Sequence, residues 1–334
     1  MDYSPMTCHI KKMETALRRS AYMEGDFGEW QKKAREKLAS LLGLPFDMPA
    51  NDEFTVEWKM ENEDFEEIRF SFKSEDTVWV CAHMLLPHKA KKPVPLMICL
   101  QGHSTGMHIS LGRVIYEKDV QSISGGDRDF ALQSIKQGYA ALAIEQRGFG
   151  ERGGTPKGPS CAQPALSALL VGRTLIGERV WDISRAIDIV EKYFPQVDAA
   201  RIGVVGNSGG GTAIIYAAAL ETRLAAAMPS CALCSYLPSI GVQSHCVCNY
   251  IPGIMNEFDM GDICGLIAPR PLIVVNGRDD KIFPIDGAKA EFERLHNLYK
   301  IAGSPESCRH VIGDGGHRFY ADDAWPVFKE LVRW

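Results

Sequence analysis

Arg201-Ile-Gly-Val-Val-Gly206-Asn207-Ser208-Gly209-Gly210-Gly211-Thr212 runs directly into Ala213-Ile-Ile-Tyr-Ala-Ala-Ala-Leu220. Ile202 to Val205 is a short, apolar run, the pattern of a strand buried on both faces, and Thr212 to Leu220 has the composition of a buried helix. Gly206, Ser208 and Gly210 lie between them in the pattern G-x-S-x-G. A serine at this junction sits on a sharp strand-to-helix turn with its hydroxyl exposed, and the glycines on either side let the backbone take a strained conformation without a Cβ clash. The start of the following helix supplies unpaired N–H groups and the positive end of a dipole, which suits negative charge developing nearby. Ser208 is therefore the candidate nucleophile.

Outward from this turn the same alternation repeats. Val94-Pro-Leu-Met-Ile-Cys-Leu, Ala140 to Ile144, Leu224 to Met228 and Leu272 to Val275 read as further buried strands. Helical stretches near Asp127 to Gln137, Arg179 to Tyr193 and Ile285 to Tyr299 separate them, so the chain reads as α/β with a mostly parallel, doubly wound sheet. Two β-rich runs, Glu53 to Glu61 and Phe65 to Leu86 with a turn at Lys73 to Asp76, precede it as antiparallel edge strands. Before those, Phe27, Trp30, Ala34, Leu38, Leu41 and Leu42 are spaced as an amphipathic helix that stops at Gly43 and Pro45. The expected organisation is an N-terminal helical extension over 1–50 and a catalytic domain over 51–334, with Cys231 to Asp259 as a lid insertion between two core strands.

A serine hydroxyl needs a neighbouring base and an acid that orients the base. In this order of elements the acid and then the histidine follow the serine. Pro271 to Asn276 leads into Gly277-Arg278-Asp279-Asp280-Lys281-Ile282-Phe283-Pro284, a loop at the carboxyl end of a strand, where ligands bind in such sheets. Asp279 and Asp280 both qualify, and the spacing to the glycine and the proline favours Asp280. His317, in Val311-Ile-Gly-Asp-Gly-Gly316-His317, again ends a strand and precedes the final helix, Asp322 to Trp334. The other histidines downstream, His296 within a helix and His310 at a strand start, lack that setting. Acyl-transfer chemistry also needs two preorganised N–H donors, each worth about 10²–10³ in rate. They are expected from Gly209 and from the main chain of His103, in Gln101-Gly102-His103-Ser104-Thr105-Gly106 after the strand Pro95 to Leu100.

Gly206-Asn-Ser-Gly-Gly-Gly211, the Asp280 loop, Gly316-His317 and Leu266-Ile-Ala-Pro-Arg-Pro271 together resemble the dienelactone hydrolase and acetyl xylan esterase-like branch of the α/β-hydrolases. The resemblance runs from about Val78 to the C-terminus and includes Glu145-Gln-Arg-Gly-Phe-Gly150 and the segment Gly172 to Asp182. Dienelactone hydrolases use a cysteine nucleophile, whereas position 208 is serine, and Gln101 replaces the histidine common before that glycine. The resemblance implies an α/β-hydrolase fold and a serine carboxylic ester hydrolase acting through an acyl-enzyme, on small acetyl-type esters or esters of carbohydrates. A peptidase or amidase on the same triad, and a non-catalytic binding protein on a hydrolase scaffold, are the competing readings.

The remaining features bound the partners. A net charge of −5, with only the short basic stretch Lys89 to Lys92, offers nucleic acid or an anionic membrane no electrostatic reason to bind. No segment reaches the roughly 20 apolar residues of a membrane span, and Met1 to Arg19 lacks the apolar centre of a secretory signal, so the chain reads as cytoplasmic. The expected partner is a small-molecule ester, with no cofactor and no metal, and association into a homo-oligomer is left open. Ten cysteines then read as buried thiols. Cys231, Cys234, Cys246 and Cys248 have the donor type of a zinc site, but C-x-C spacing is unusual for one, and Tyr236, Leu237, Ile240, Tyr250, Ile251, Ile254 and Met255 around them suggest an apolar pocket wall. Arg173, Glu178, Arg179, Asp182 and Arg185 stand at helical spacings that suit structural ion pairs.

Overall fold

Residues that are apolar without alternation form the centre of the sheet, and residues that alternate form its leading edge. In a computed structural model describing residues 2–334 other than 52 and 92, the strands are β1 (Phe54–Glu61), β2 (Phe65–Glu75), β3 (Val78–Pro87), β4 (Val94–Leu100), β5 (Ala140–Ile144), β6 (Val197–Asn207), β7 (Leu224–Ser230), β8 (Leu272–Gly277) and β9 (Cys308–Gly313). They form one sheet in the order β1-β2-β3-β5-β4-β6-β7-β8-β9. β1, β2, β3 and β5 pair antiparallel in turn, and from β5 onward every neighbour is parallel. This is the α/β-hydrolase fold.

Alternate residues of the central strands face opposite layers, because successive side chains of a strand point to opposite sides. Leu96, Ile98, Leu100, Ile202 and Val204 pack with the helices Phe27–Leu42, Leu175–Tyr193 and Gly209–Leu220. Met97, Cys99, Val205, Ile273 and Val275 pack on the other side with Phe130–Lys136 and Ala321–Val332. Each large side chain so buried contributes roughly 1.5–3 kcal/mol relative to exposure. The helix Phe27–Leu42 begins where Asp26 accepts from the Glu29 amide and ends at Gly43 with φ 82°, a conformation that a side chain disfavours. It buries Ala34, Leu38 and Leu42 against the core.

The helices Pro5–Glu14 and Ala162–Leu170 are visible only in the structure. Pro5–Glu14 buries none of its residues, and its local signature is Ser4 capping with Pro5 at the first position. Ala162–Leu170 leaves Leu166 and Leu170 exposed. Lys89 and Lys91 of the basic stretch are exposed, whereas Lys92, like Met1, lies outside the described residues.

The insertion forms an apolar pocket wall, as expected: Tyr236, Ile240, Tyr250, Ile251, Ile254 and Met255 line a cavity shared with Met6 and Met13 of the helix Pro5–Glu14, and neither Ser208 nor His317 is among its lining residues. The same segment is also tied into the core. Tyr236, Ile240, Ile251 and Ile254 belong to the main hydrophobic core, and the Tyr236 hydroxyl hydrogen-bonds that of Tyr216. Ser239 Oγ donates to the Ile282 carbonyl at 2.7 Å. These side chains anchor the segment to the helix Gly209–Leu220 and to the loop after β8. A buried phenol needs a partner for its hydroxyl, and the Tyr216–Tyr236 pair satisfies both.

Candidate active site

The five loops of interest all leave the carboxyl ends of parallel strands. β4 leads to His103, β6 to Ser208, β7 to Cys231, β8 to Asp280 and β9 to His317. Ser208 has φ 55° and ψ −121°, a region that non-glycine residues rarely occupy. The turn is held from both sides: the Ser208 amide donates to the Ser230 carbonyl at 2.8 Å, and the Thr212 amide donates to the Ser208 carbonyl at 2.7 Å. Gly102 lies against it. A Cβ at position 102 would stand 2.8 Å from the Asn207 carbonyl oxygen and 3.0 Å from the Ser208 Cβ, so only glycine fits.

Asp280 and His317 meet at 2.7 Å through Asp280 Oδ2 and His317 Nδ1. The second oxygen of Asp280 accepts the amides of Ile282 at 2.8 Å and Phe283 at 3.1 Å. Burial by itself would raise the Asp280 pKa, but the bond to His317, the charge there and the two amides together hold it below the ordinary carboxylate range. With Nδ1–H given to the carboxylate, Nε2 of His317 is left to accept a proton. Asp279 is exposed, and its amide donates to the Gly315 carbonyl at 2.8 Å. The choice between two adjacent aspartates is thus made by which one the turn directs inward.

His103 stands beside the turn, and its main-chain N–H has no acceptor among the described residues. Its ring lies over Gly209: a Cβ there would come within 2.5 Å of Cε1. The Gly209 amide is the first of its helix, one of those that have no intrahelical acceptor. Two N–H groups are therefore available beside Ser208.

Three neighbours escaped the sequence reading. Cys231, with φ 46°, donates its Sγ–H to the Arg318 carbonyl at 3.2 Å and lies within 4.8 Å of the donor atoms of Asp280 and His317. Arg128 Nη2 donates to the His317 carbonyl at 3.0 Å, while its own carbonyl accepts from Gln101 at 3.1 Å, tying the histidine loop to the one after β4. Glu145, after β5, takes the Met107 amide on both oxygens at 3.1 and 3.2 Å. Burial pushes its pKa up to about 7. Glu145 and Cys231 fall in segments the sequence singles out for other reasons, and their contacts here, like those of Arg128, are to residues distant in the chain.

The helical charges form a network for the most part. Asp182 accepts from Arg147 at 2.8 Å and Arg152 at 2.7 Å, and Glu75 pairs with Arg147 and Arg173 at 2.7 and 2.8 Å. Arg179 departs from the expectation: its partners are the sulfurs of Cys161 and Cys248 and a main-chain carbonyl.

A positive-φ serine between a buried strand and a helix, within a sheet of this order, defines the α/β-hydrolase class. The model of the Abhydrolase family matches residues 6–314, and the chain belongs to that family. It is 27% identical over 260 residues to the protein of Bacillus subtilis (strain 168) named as hydrolase YtaP, covering 76% of this chain and 83% of that one. It is also 26% identical over 175 residues to the 4-O-methyl-glucuronoyl methylesterase of Phanerochaete carnosa (strain HHB-10118-sp), covering 44% of this chain and 43% of that one. A crystal structure from Bacteroides fragilis NCTC 9343, named as an acetyl xylan esterase, superposes with a TM-score of 0.77 at 19% identity, covering 98% of this chain and 84% of that one.

Proposed function

We propose that the protein is a serine carboxylic ester hydrolase acting on small esters of carbohydrates. The observation that carries this is the buried Asp280 carboxylate bonded to His317 at 2.7 Å, on the sheet edge that also carries the Ser208 turn. His317 Nε2 takes the Ser208 Oγ–H proton as Oγ attacks the ester carbonyl carbon. The amides of His103 and Gly209 receive the oxyanion. The tetrahedral adduct collapses by breaking the bond to the alkoxy oxygen, which leaves as the alcohol with the proton from His317. Water then repeats the sequence on the acyl-serine, with His317 taking one of its protons, and the acid is released. Asp280 holds the imidazole orientation and its positive charge throughout.

Support for an ester comes from the relatives' names, in which the sugar stands on opposite sides of the bond. In an acetyl xylan ester the sugar is the alcohol, whereas in a methyl glucuronate ester it carries the acyl group. Turnover of acetylated xylo-oligosaccharides set beside methyl glucuronate separates the two. None of the ten cysteines is in a disulfide, which supports a reducing, cytoplasmic setting. Among the described residues no helix is long and apolar enough to cross a membrane.

Labelling with a fluorophosphonate followed by peptide mapping tests the assignment. The label is expected on Ser208 alone, and Ser208→Ala is expected to reduce turnover of an acetyl ester by roughly 10⁶-fold with unchanged thermal melting. Label on another residue, or turnover retained in the variant, removes Ser208 from the mechanism.

A further inference from the structure

His103 comes from the loop after β4, Cys161 caps the helix Ala162–Leu170, and Cys246 and Cys248 belong to the insertion. The fold brings their donor atoms within 4.8 Å of one another. This is not the cysteine grouping that the sequence suggests. Cys231 lies with Asp280 and His317, and Cys234 faces the Pro284 carbonyl at 3.5 Å. Cys161 and His103 take their places beside the C-x-C pair.

We propose that His103 Nε2 and the sulfurs of Cys161, Cys246 and Cys248 bind a zinc ion in a tetrahedral site, contrary to the metal-free expectation from sequence.

The donor set is one zinc favours, three thiolates and one imidazole, with no coordination position left for substrate. Bond lengths near 2.3 Å to sulfur and 2.0–2.1 Å to nitrogen place the donors of a tetrahedral site with one nitrogen and three sulfurs roughly 3.5–3.8 Å apart. His103 Nε2 and Cys248 Sγ are 3.2 Å apart, so this pair would open by roughly 0.3 Å, and since all four donors lie within 4.8 Å of one another the rest would close by up to about 1 Å. Cys161 and Cys248 are buried, and His103 and Cys246 are half-buried, so water competes little for the ion.

Charge supplies the second argument. Arg179 is 1% exposed, and its guanidinium stays cationic at every accessible pH. Among the described residues no carboxylate pairs with it. Its Nη1 and Nη2 reach Cys248 Sγ at 3.3 Å and Cys161 Sγ at 3.2 Å, it also donates to the Arg147 carbonyl, and it lies 4.5 Å above the Phe149 ring. A buried cation without an anion is strongly unfavourable, so sulfur must carry the countercharge. Three thiolates, a neutral imidazole and Zn²⁺ sum to −1, which Arg179 cancels. Binding releases to solvent whatever protons the thiols still hold.

The ion would join the loop after β4, the segment before Ala162–Leu170 and the insertion. Because the His103 ring rests on Gly209, it would also brace the wall that carries both proposed oxyanion donors. That second role rests on the proposed function, whereas the site itself does not.

The test is metal content and spectroscopy, read independently of ester turnover. Protein expressed with zinc and purified without a histidine tag under reducing conditions is expected to hold one zinc per chain by plasma mass spectrometry. Replacement by Co²⁺ is expected to produce thiolate-to-cobalt charge-transfer absorption and the intense visible bands of a tetrahedral centre. Cys161→Ser and Cys246→Ser are expected to lose these signals, and Cys234→Ser to keep them. Should the serine variants not fold, titration of the intact protein with a mercurial is expected to release zinc in step with thiol modification. Metal-free protein that develops no charge-transfer band with Co²⁺ overturns the site, as do bands that survive in Cys161→Ser and Cys246→Ser. A disulfide among these cysteines in the protein as isolated overturns it equally.

Discussion

At Asp279 and Asp280 two identical side chains, one bond apart in sequence, have opposite fates. Asp280 is inward, bonded to His317 and to two amides, while Asp279 is in solvent. Asp280→Asn is therefore expected to lower kcat by about 10⁴-fold, since the amide favours the wrong imidazole tautomer. Asp279→Asn is expected to leave kcat within a factor of two, a contrast that steady-state kinetics on one acetyl ester reads directly. Equal losses in both variants would remove Asp280 from its proposed role. The order of serine, acid and histidine was legible in the chain because each ends a strand. Which aspartate points inward was not, because that depends on the turn through Ile282 and Phe283.

Between elements, the helix Gly209–Leu220 approaches the end of β4 closely. A Cβ on Gly210 would stand 2.4 Å from the Leu100 carbonyl oxygen and 2.5 Å from that of Gln101. Both are main-chain atoms, which cannot rotate away. Gly210→Ala is thus expected to force the helix off the sheet, at a cost of about 1–3 kcal/mol or more, and to displace Ser208 with it. Thermal melting and fluorophosphonate labelling should fall together, and normal melting with full labelling would show that the contact is dispensable. Asp26→Ala, at the remote helix Phe27–Leu42, is expected to cost about 1 kcal/mol without affecting labelling. The strands and the amphipathic helix were legible from period and length, whereas Pro5–Glu14 was not read, because its apolar positions Met6, Ile10 and Met13 are few within a polar segment and none of its residues is buried.

The whole molecule buries charge of both kinds around the loops after β5, and its stability should depend on pH accordingly. Asp182 lies between Arg147 and Arg152, and although burial opposes ionisation, their charges and hydrogen bonds hold its pKa well below the ordinary value. Glu145 behaves oppositely, its pKa raised by burial from 4.5 to about 7. Between those values the folded state binds more protons than the unfolded state, so Glu145 makes stability fall as pH rises, by on the order of 3 kcal/mol in all. Glu145→Gln removes that penalty while keeping an acceptor for the Met107 amide. The variant is expected to gain stability over the parent at pH 8 and little at pH 4, measured by denaturant unfolding at both. A gain of equal size at both pH values would show that ionisation of Glu145 is not the cause.

Local chemistry determined much of this protein from its chain alone. Short apolar runs between turn signals read as buried strands, the glycines around Ser208 permit a tight turn, and the succession of strands orders the candidate serine, acid and histidine. Tertiary structure decided the matters that depend on residues far apart in sequence. It turned Asp280 toward His317, tied Arg128 to the histidine loop, and drew Tyr236 and Phe258 of the insertion into the core. It also took Arg179 from the expected ion pairs to the sulfurs of Cys161 and Cys248 and grouped His103 with three cysteines. Side-chain contacts of that range depend on where the packed sheet delivers each loop, and no spacing along the chain encodes that distance.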